Sequence, residues 1–238
     1  MLKSKKGLYV FSSIFALWEL ILAFAVHLVK KKLFRYVAYF SILLSLIYAI
    51  FLFCERAEYM ITLTGLICTA FADYFLVLIE TPKQIPAMLF FTVTQISYFV
   101  LLYLRDGAHR RLHLATRGIF VSVFLILTFF VLGEKTDLLS IISIFYFSNL
   151  LINVIWAFYE FKKSSLFAIG LLLFALCDVC VGLSVMSSSY ITIPEGTILD
   201  FLANPPINLA WVFYIPSQSL IALSIAESRI KEQKKNSP

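Results

Sequence analysis

Charged side chains are scarce in this chain. Only 14% of its 238 residues are Asp, Glu, Lys or Arg, while 61% are hydrophobic and the mean hydropathy is +0.91. A soluble domain usually carries about 25% charged residues, and a sphere of this size cannot bury so many apolar side chains. The 8 glycines and 7 prolines exclude collagen-like and disordered chains, and 4 cysteines are too few for a disulfide framework. A soluble globular protein is therefore excluded.

Histidine is also rare, with 3 in the chain. His109 and His113 stand four residues apart in a basic segment with Arg110 and Arg111, which favours binding of anionic lipid headgroups over a metal site. A catalytic zinc site usually needs three protein ligands. We therefore expect no metal and no cofactor, and no Ser-His-Asp set, phosphate loop or nucleotide motif is visible.

The chain has eight long apolar runs instead. Each is long enough to cross a bilayer as a helix, which takes about 20 residues, and too long for a transmembrane strand. We predict an all-α integral membrane protein that forms a single polytopic domain over 1–238. Only two connections, 105–116 and 187–208, are longer than a turn. The predicted spans lie near 8–29, 34–54, 60–80, 86–104, 117–134, 138–161, 165–186 and 209–226.

Lysine and arginine predict the orientation in the membrane. With eight spans, both termini share one side with the second, fourth and sixth loops, and that side carries fourteen of the 20 Lys and Arg residues. Cytoplasmic loops are the ones enriched in Lys and Arg. We predict a multi-pass protein of the cell membrane with both termini in the cytoplasm. The basic balance is then a topology signal, so no nucleic-acid partner is expected.

An internal repeat links the third and seventh spans. GLICTAFADYFLVL starts at Gly65 and GLLLFALCDVCVGL starts at Gly170, and Gly, Leu, Ala, Asp and Leu recur at the same offsets. Asp73 and Asp178 each lie eight residues after the glycine. The repeat predicts two parallel four-helix halves around a polar cavity near the midplane of the bilayer. Two unrelated helices with small residues at packing faces are the alternative.

Three acids lie deep in spans that run in the same direction. Asp73 and Asp178 are each about 13 residues from the predicted cytoplasmic end of their spans, or roughly 20 Å deep, and Glu19 lies at a similar level in the first span. A charge at the bilayer centre costs about 2.5–3.5 kcal/mol on insertion scales. A shared functional site explains the three acids, and protonated carboxyls that only join helices are the alternative.

Other spans supply polar side chains at a similar depth. The last span also contains Pro216, which frees a backbone carbonyl in that helix. The fifth span carries only Ser122 and Thr128 in its interior, so we expect it to face lipid. The candidate supporting or substrate-binding residues are Glu19, Gln95, Tyr98, Asn149, Asn153, Tyr214 and Gln218, with Tyr146 and Ser217 beside them.

Three segments resemble one membrane-protein family. GLICTAFADYFLVL, FALCDVCVGL and WVFYIPSQSLIALS are similar to the YhhN-like family, the lysoplasmalogenase family of eight-span membrane proteins. By resemblance, Asp73 and Asp178 match the two membrane aspartates of the family, and Tyr214 and Gln218 match its last-span Tyr and Gln. The fourth span of the family often has a His before a Tyr, whereas this chain has Gln95 before Tyr98.

The resemblance implies an intramembrane hydrolase. Family members with assigned activity cleave the vinyl ether bond of lysoplasmalogen to a fatty aldehyde and a glycerophospho-alcohol. Asp73 and Asp178 would be the catalytic pair, one as general acid and one as the carboxylate that stabilises an oxocarbenium ion, as in glycosidases. The implied partners are a lysophospholipid-type substrate and membrane lipids, while the oligomeric state stays open.

Two other function classes fit the same residues. Parallel repeats and midplane acids also suit a small proton-coupled membrane transporter, although transporters often break their helices with Gly and Pro near the site. A non-catalytic lipid-binding membrane protein is the third. A cavity that is closed to one side and has a lateral, lipid-sized opening favours the hydrolase, and a cavity open to alternating sides favours the transporter.

Overall fold

The computed structural model describes residues 4–52, 56–189, 192–205 and 207–235, and within these ranges it contains helices and no strands. Eight of the helices are long, and α8 is short. Their bounds are α1 (Lys5–Leu28), α2 (Lys31–Phe51), α3 (Ala57–Asp73), α4 (Gln84–Arg105), α5 (Arg110–Leu132), α6 (Leu138–Tyr159), α7 (Ser165–Ser189), α8 (Ile198–Ala203) and α9 (Leu209–Lys235).

The eight long helices confirm the predicted membrane fold. Each is long and apolar enough to cross a bilayer, α3 together with the π-helical turn Tyr74–Leu78 that follows it. The chain is therefore a multi-pass membrane protein. Large apolar side chains such as Leu28, Phe130 and Ile119 project outward along the helices, where lipid would cover them.

Two predicted connections are shorter than expected. The connection expected over 105–116 shrinks to 106–109, because α5 begins at Arg110 rather than near 117. The connection expected over 187–208 is partly helical, since α7 continues to Ser189 and α8 lies within it. Apolar content predicts only the part of a helix that lies in the membrane. Where polar residues continue the helix beyond that part, the predicted helix is too short.

Glycines allow the closest helix contacts. An added Cβ at Gly170 of α7 would lie 2.8 Å from the Ile221 side chain and 3.1 Å from the Ser217 carbonyl oxygen, both on α9. An added Cβ at Gly65 of α3 would lie 2.3 Å from the ring of Tyr98 on α4. The two glycines of the repeat are thus the positions where α7 meets α9 and α3 meets α4.

Helix α9 is the centre of the bundle. It contacts α1, α2, α3 and α7, whereas α5 packs mainly on α6 at the edge and, apart from His113, contributes none of its described residues to the buried set. The outward position of α5 agrees with the expectation that the fifth span faces lipid. Glu227 of α9 also accepts hydrogen bonds from the backbone N–H groups of Ser165 and Leu166, at 3.2 and 3.1 Å, and so caps the start of α7.

The helix contacts follow a partly repeated order. The contacts α1–α2, α2–α3 and α3–α4 correspond to α5–α6, α6–α7 and α7–α9, and α4–α6 corresponds to α9–α2. The extensive contact of α1 with α9 has no counterpart of similar extent between α5 and α4. The arrangement in two four-helix halves therefore remains a prediction.

Candidate active site

Two aspartates in the membrane interior each accept a hydrogen bond from a tyrosine. The Tyr214 hydroxyl on α9 donates to Asp73 Oδ2 of α3 at 2.6 Å, and the Tyr146 hydroxyl on α6 donates to Asp178 Oδ2 of α7. These four side chains form the aspartate–tyrosine cluster. Three of its members, Asp73, Tyr146 and Tyr214, are buried, and Asp178 is partly exposed.

Phe174 lies between the two tyrosines. Its fully buried ring is 5.4 Å from the Tyr214 ring and 6.4 Å from the Tyr146 ring, measured between centroids. The carboxyls of Asp73 and Asp178 are close enough to interact electrostatically. Both lie roughly 20 Å along their helices from the end of the bundle that carries the chain termini. We call this the terminal end, and the other the opposite end.

The backbone changes its winding directly after Asp73. Helix α3 ends at Asp73, and the next five residues, Tyr74–Leu78, form a π-helical turn. The Lys83 N–H then donates to the Phe75 carbonyl at 3.0 Å, so the chain folds back toward α4. Single π-helical turns inside helices are often found at functional sites. Asp178 has no such turn, because α7 stays α-helical through it.

Asn149, Asn153 and Gln95 form a separate group around Arg117. The Arg117 guanidinium donates to Asn149 Oδ1 and to Asn153 Oδ1, each at 2.5 Å, and stacks over the Phe99 ring at 4.0 Å. Asn153 Nδ2 donates to the backbone carbonyl and Oε1 of Gln95, at 2.9 and 3.0 Å. This arginine–amide cluster connects α4, α5 and α6 nearer to the terminal end than the aspartates.

Glu19 belongs to a third group. Its carboxylate accepts from Ser41 Oγ at 2.5 Å and from Ser45 Oγ at 3.0 Å, both on α2, and interacts with Ser219 on α9. All of these side chains are buried. This glutamate–serine cluster joins α1, α2 and α9, and Glu19 forms no hydrogen bond with the aspartate–tyrosine cluster.

Tyr98 and Gln218 also lie in the interior without contacting either aspartate. The Tyr98 ring packs against Gly65 and against Phe167, with 5.3 Å between ring centroids. Gln218 lies one turn after Tyr214 on α9, where its Nε2 donates to Ser217 Oγ at 3.4 Å and its Oε1 has no partner. Of the predicted supporting residues, Tyr214 alone is hydrogen-bonded to an aspartate.

Two site residues were not recognised from the sequence. Tyr146 was seen only as a polar neighbour, although it is the partner of Asp178, and its position on one stripe of α6 with Asn149 was the available signal. Arg117 stands at the start of the predicted fifth span, 117–134, and is not among the candidate residues. It lies two turns inside α5 and is partly buried.

The interpretation of His113 as a headgroup ligand is wrong. Its imidazole is fully buried against Trp156, with ring centroids 3.6 Å apart, and Nε2 is 3.3 Å from Asp106 Oδ2. His109 Nδ1 is 3.1 Å from the other oxygen of Asp106. Burial acts to raise the pKa of Asp106, but the hydrogen bonds and charges of His109 and His113 outweigh it and hold that pKa below its ordinary value.

Metal ligation finds no support in the part of the chain that the structure describes. There, no three His, Cys, Asp or Glu side chains come together in a way that could hold a metal ion. Cys177 lies buried beside both aspartates, and Cys180 is buried nearly one turn further along α7. What the arrangement offers chemically is a pair of carboxyls, each held by a tyrosine hydroxyl, among buried apolar side chains.

Comparison with known proteins identifies the family. The family model described as the YhhN family matches residues 33–225, which is most of the chain, and the chain belongs to this family. The match includes the aspartate–tyrosine and arginine–amide clusters and leaves the whole of α1, with Glu19, outside it. No curated protein and no solved structure matches the chain.

Proposed function

Since the chain belongs to the YhhN family, we propose that it is an intramembrane hydrolase that cleaves the vinyl ether bond of a lysoplasmalogen. The products are a fatty aldehyde and a glycerophospho-alcohol. The observation that carries the proposal is the aspartate–tyrosine cluster, in which two carboxyls interact in the membrane interior and each accepts a tyrosine hydrogen bond. Family membership supports the substrate class.

A carboxyl pair suits this reaction because the step is acid-catalysed. A carboxylic acid protonates the alkene carbon next to the alkyl chain, and the carbon bonded to oxygen becomes an oxocarbenium ion. The second carboxylate stabilises this cation, as in glycosidases. Water then adds to the cationic carbon and loses a proton to a carboxylate. The hemiacetal collapses to aldehyde and alcohol, so that one water is consumed and no electron is transferred.

The tyrosines have a defined part in this scheme. Each hydroxyl occupies one oxygen of its aspartate, which leaves the other carboxylate oxygen, Oδ1, to face the substrate. A hydrogen bond to a charged carboxylate is worth about 1.5–3 kcal/mol. Asp73 and Asp178 are thus held in one orientation, and orientation is a large part of the rate gain in an enzyme site.

The test is a direct assay of the purified protein. Protein in detergent is mixed with 1-alkenyl lysophosphatidylethanolamine, and release of the fatty aldehyde is measured against a heat-inactivated sample. We expect turnover by the wild type. If no aldehyde appears with either ethanolamine or choline substrates, while the protein is folded by its melting transition, the proposed reaction is refuted.

Asn variants separate catalysis from structure. Asp73→Asn and Asp178→Asn keep side-chain shape and hydrogen bonding but can neither donate an acidic proton nor stabilise a cation. General acid catalysis is worth about 10²–10⁴-fold, so each variant should lose turnover at an unchanged melting temperature. If the acids only join helices, Asn serves nearly as well, because such hydrogen bonds contribute about 0.6–2 kcal/mol. Glu19→Gln, in the glutamate–serine cluster, is the matched control and should keep most activity.

A further inference from the structure

A pocket of about 470 Å³ lies at the opposite end of the bundle, between the last turns of α7, helix α8 and the start of α9. Pockets that hold small ligands commonly measure about 300–1,000 Å³. Its wall combines apolar side chains with two amides and a hydroxyl, from Asn204, Asn208 and Ser184. We call it the α7–α9 pocket.

The α7–α9 pocket lies about one helical turn from Asp178 and from Tyr214. Val181, which lines it, lies three residues after Asp178, and Ala210, which also lines it, lies four residues before Tyr214, the partner of Asp73. Both separations are about one helical turn, or ~5 Å along the axis. One member of each Asp–Tyr pair, Asp178 and Tyr214, is therefore about one turn deeper in the bundle than the pocket wall.

The helix face between the pocket and Asp178 is open. Gly182, one turn after Asp178, would have nothing within 4 Å of an added Cβ, and Val181 and Val185 are about half exposed. Asp178 is itself partly exposed, unlike Asp73. From the terminal end, by contrast, a molecule would have to pass the buried Gln95, Asn153 and Gln218 to reach the pair.

A carboxylate lies behind one of the residues that line the pocket. No lysine, arginine, aspartate or glutamate is among the described residues that line it. Asp200 lies directly behind the lining residue Asn204, whose amide donates to Asp200 Oδ1 at 3.1 Å. Hydrogen bonds from Asn204 and from the Gly196 N–H hold the pKa of Asp200 below its ordinary value, so this carboxylate is ionised at neutral pH.

We propose that the α7–α9 pocket binds the glycerol and zwitterionic headgroup of a lysophospholipid, with an amine or choline cation toward Asp200, and places the bond near the glycerol between Asp73 and Asp178. The inference rests on the proposed function and adds the place where the headgroup binds and the side of access. In a lysoplasmalogen the vinyl ether and the phosphate are separated by the glycerol, a distance similar to one helical turn. The amides and hydroxyl suit glycerol and phosphate oxygens, and the Asp200 carboxylate behind Asn204 disfavours a headgroup with net negative charge.

The experiment measures binding apart from turnover. The probe is radiolabelled 1-O-alkyl lysophosphatidylethanolamine, a saturated ether that has no alkene to protonate. Ser184 and Val185 of α7 both line the pocket. Ser184→Trp and Val185→Trp each place an indole in it. We expect each to weaken probe binding by about tenfold or more, because the indole occupies volume that the headgroup needs. Two variants are made so that the test can still be read if one of them fails to fold.

The control is a Trp of the same size in another groove. Leu33→Trp adds an indole to the groove of about 550 Å³ beside the α1–α2 turn, at the same end of the bundle and away from the aspartates. It should leave probe binding unchanged.

Asp178→Asn should bind the probe while releasing no aldehyde from the alkenyl substrate. Asp200→Asn should reduce the preference for the ethanolamine probe over the matching serine probe by up to about fivefold, the size of an exposed charge interaction.

The outcomes separate this proposal from the proposed function. If folded Ser184→Trp and Val185→Trp bind the probe as tightly as the wild type, the pocket is not the headgroup site, whatever the rate of hydrolysis. If wild-type protein does not bind the probe, the proposal also fails. If the probe binds, the pocket variants lose it and no aldehyde is ever released, the headgroup site stands and the hydrolase proposal falls.

Discussion

At the scale of single residues, the two tyrosine hydroxyls are the groups most open to a clean test. Tyr146→Phe and Tyr214→Phe remove one oxygen each and leave the rings packed around Phe174. Because a hydrogen bond to a charged group is worth about 1.5–3 kcal/mol, we expect turnover to fall about 10- to 100-fold in each variant. Aldehyde release by the purified variants is the measurement.

The exposed Tyr36 offers a matched control, since Tyr36→Phe removes the same atom on the outer surface of α2 and should keep full activity. If Tyr146→Phe and Tyr214→Phe also keep full activity, the tyrosines do not orient the aspartates during catalysis.

Asp106 gives a pH-dependent prediction at the same scale. Its pKa is lower in the folded protein, because the hydrogen bonds and charges of His109 and His113 outweigh its burial. A carboxyl with a depressed pKa contributes stability above its unfolded pKa and loses it as pH falls through the folded value. Asp106→Asn should therefore lower the melting temperature at pH 7, and the difference should shrink below about pH 4.

Melting curves of the two proteins in detergent between pH 7 and pH 3 measure this difference. Glu134→Gln removes an acid from the exposed turn between α5 and α6 and should shift the melting temperature little at any pH. An Asp106→Asn effect that stays constant down to pH 3 would contradict the ionic role of Asp106.

At the scale of helices, substitution of glycines by alanine distinguishes close helix–helix contacts from positions with open space. Gly170→Ala would bring a methyl group within 3.1 Å of backbone atoms of α9, which cannot move independently of that helix. We expect a loss of about 1–3 kcal/mol, as for other overpacked sites. Gly118→Ala on the outer face of α5 meets nothing within 4 Å. Gly118→Ala should stabilise the protein slightly, because the helix propensity of Ala is more favourable than that of Gly by about 1 kcal/mol.

Unfolding of both variants in mixed micelles measures these two effects. The opposite signs are the informative result, since the same methyl group is added in each case. A Gly170→Ala protein as stable as the wild type would show that α7 and α9 are not in close contact.

The helices themselves were predictable because their apolar runs are long, and a bilayer leaves few other folds. The helix ends were less predictable, as at Arg110, since polar residues can continue a helix beyond the membrane. The grouping of polar residues was predictable only by depth. Depth placed Asp73 and Asp178 at one level, but it could not say which way each side chain points around its helix. Asn153 and Glu19 share the interior with the aspartates, yet they bind Gln95 and Ser41 instead.

Arg117 is a second residue whose neighbours could not be predicted from the sequence. Composition assigns an arginine beside a basic segment to the membrane surface. In the structure its guanidinium is satisfied by two amides and the Phe99 ring, and those partners come from two other helices far along the chain. A partly buried cation of this kind is recognisable only once the neighbouring helices are in place.

At the scale of the whole molecule, orientation in the membrane decides which compartment supplies the substrate. The sequence assigns fourteen of the 20 Lys and Arg residues to the side of the membrane that holds the termini, which predicts that the terminal end faces the cytoplasm. The α7–α9 pocket lies at the opposite end. Together these predict that lysophospholipid enters from the outer leaflet.

Labelling of intact cells tests this orientation. A membrane-impermeant thiol reagent should label Glu134→Cys, in the exposed turn at the opposite end, and should miss Ser237→Cys, which lies in the C-terminal segment outside the described residues. Wild-type protein is the control for its own cysteines, of which Cys177 and Cys180 are buried. After permeabilisation both variants should be labelled. Labelling of Ser237→Cys but not of Glu134→Cys in intact cells would invert the topology, and the α7–α9 pocket would then open toward the cytoplasm and draw its substrate from the inner leaflet.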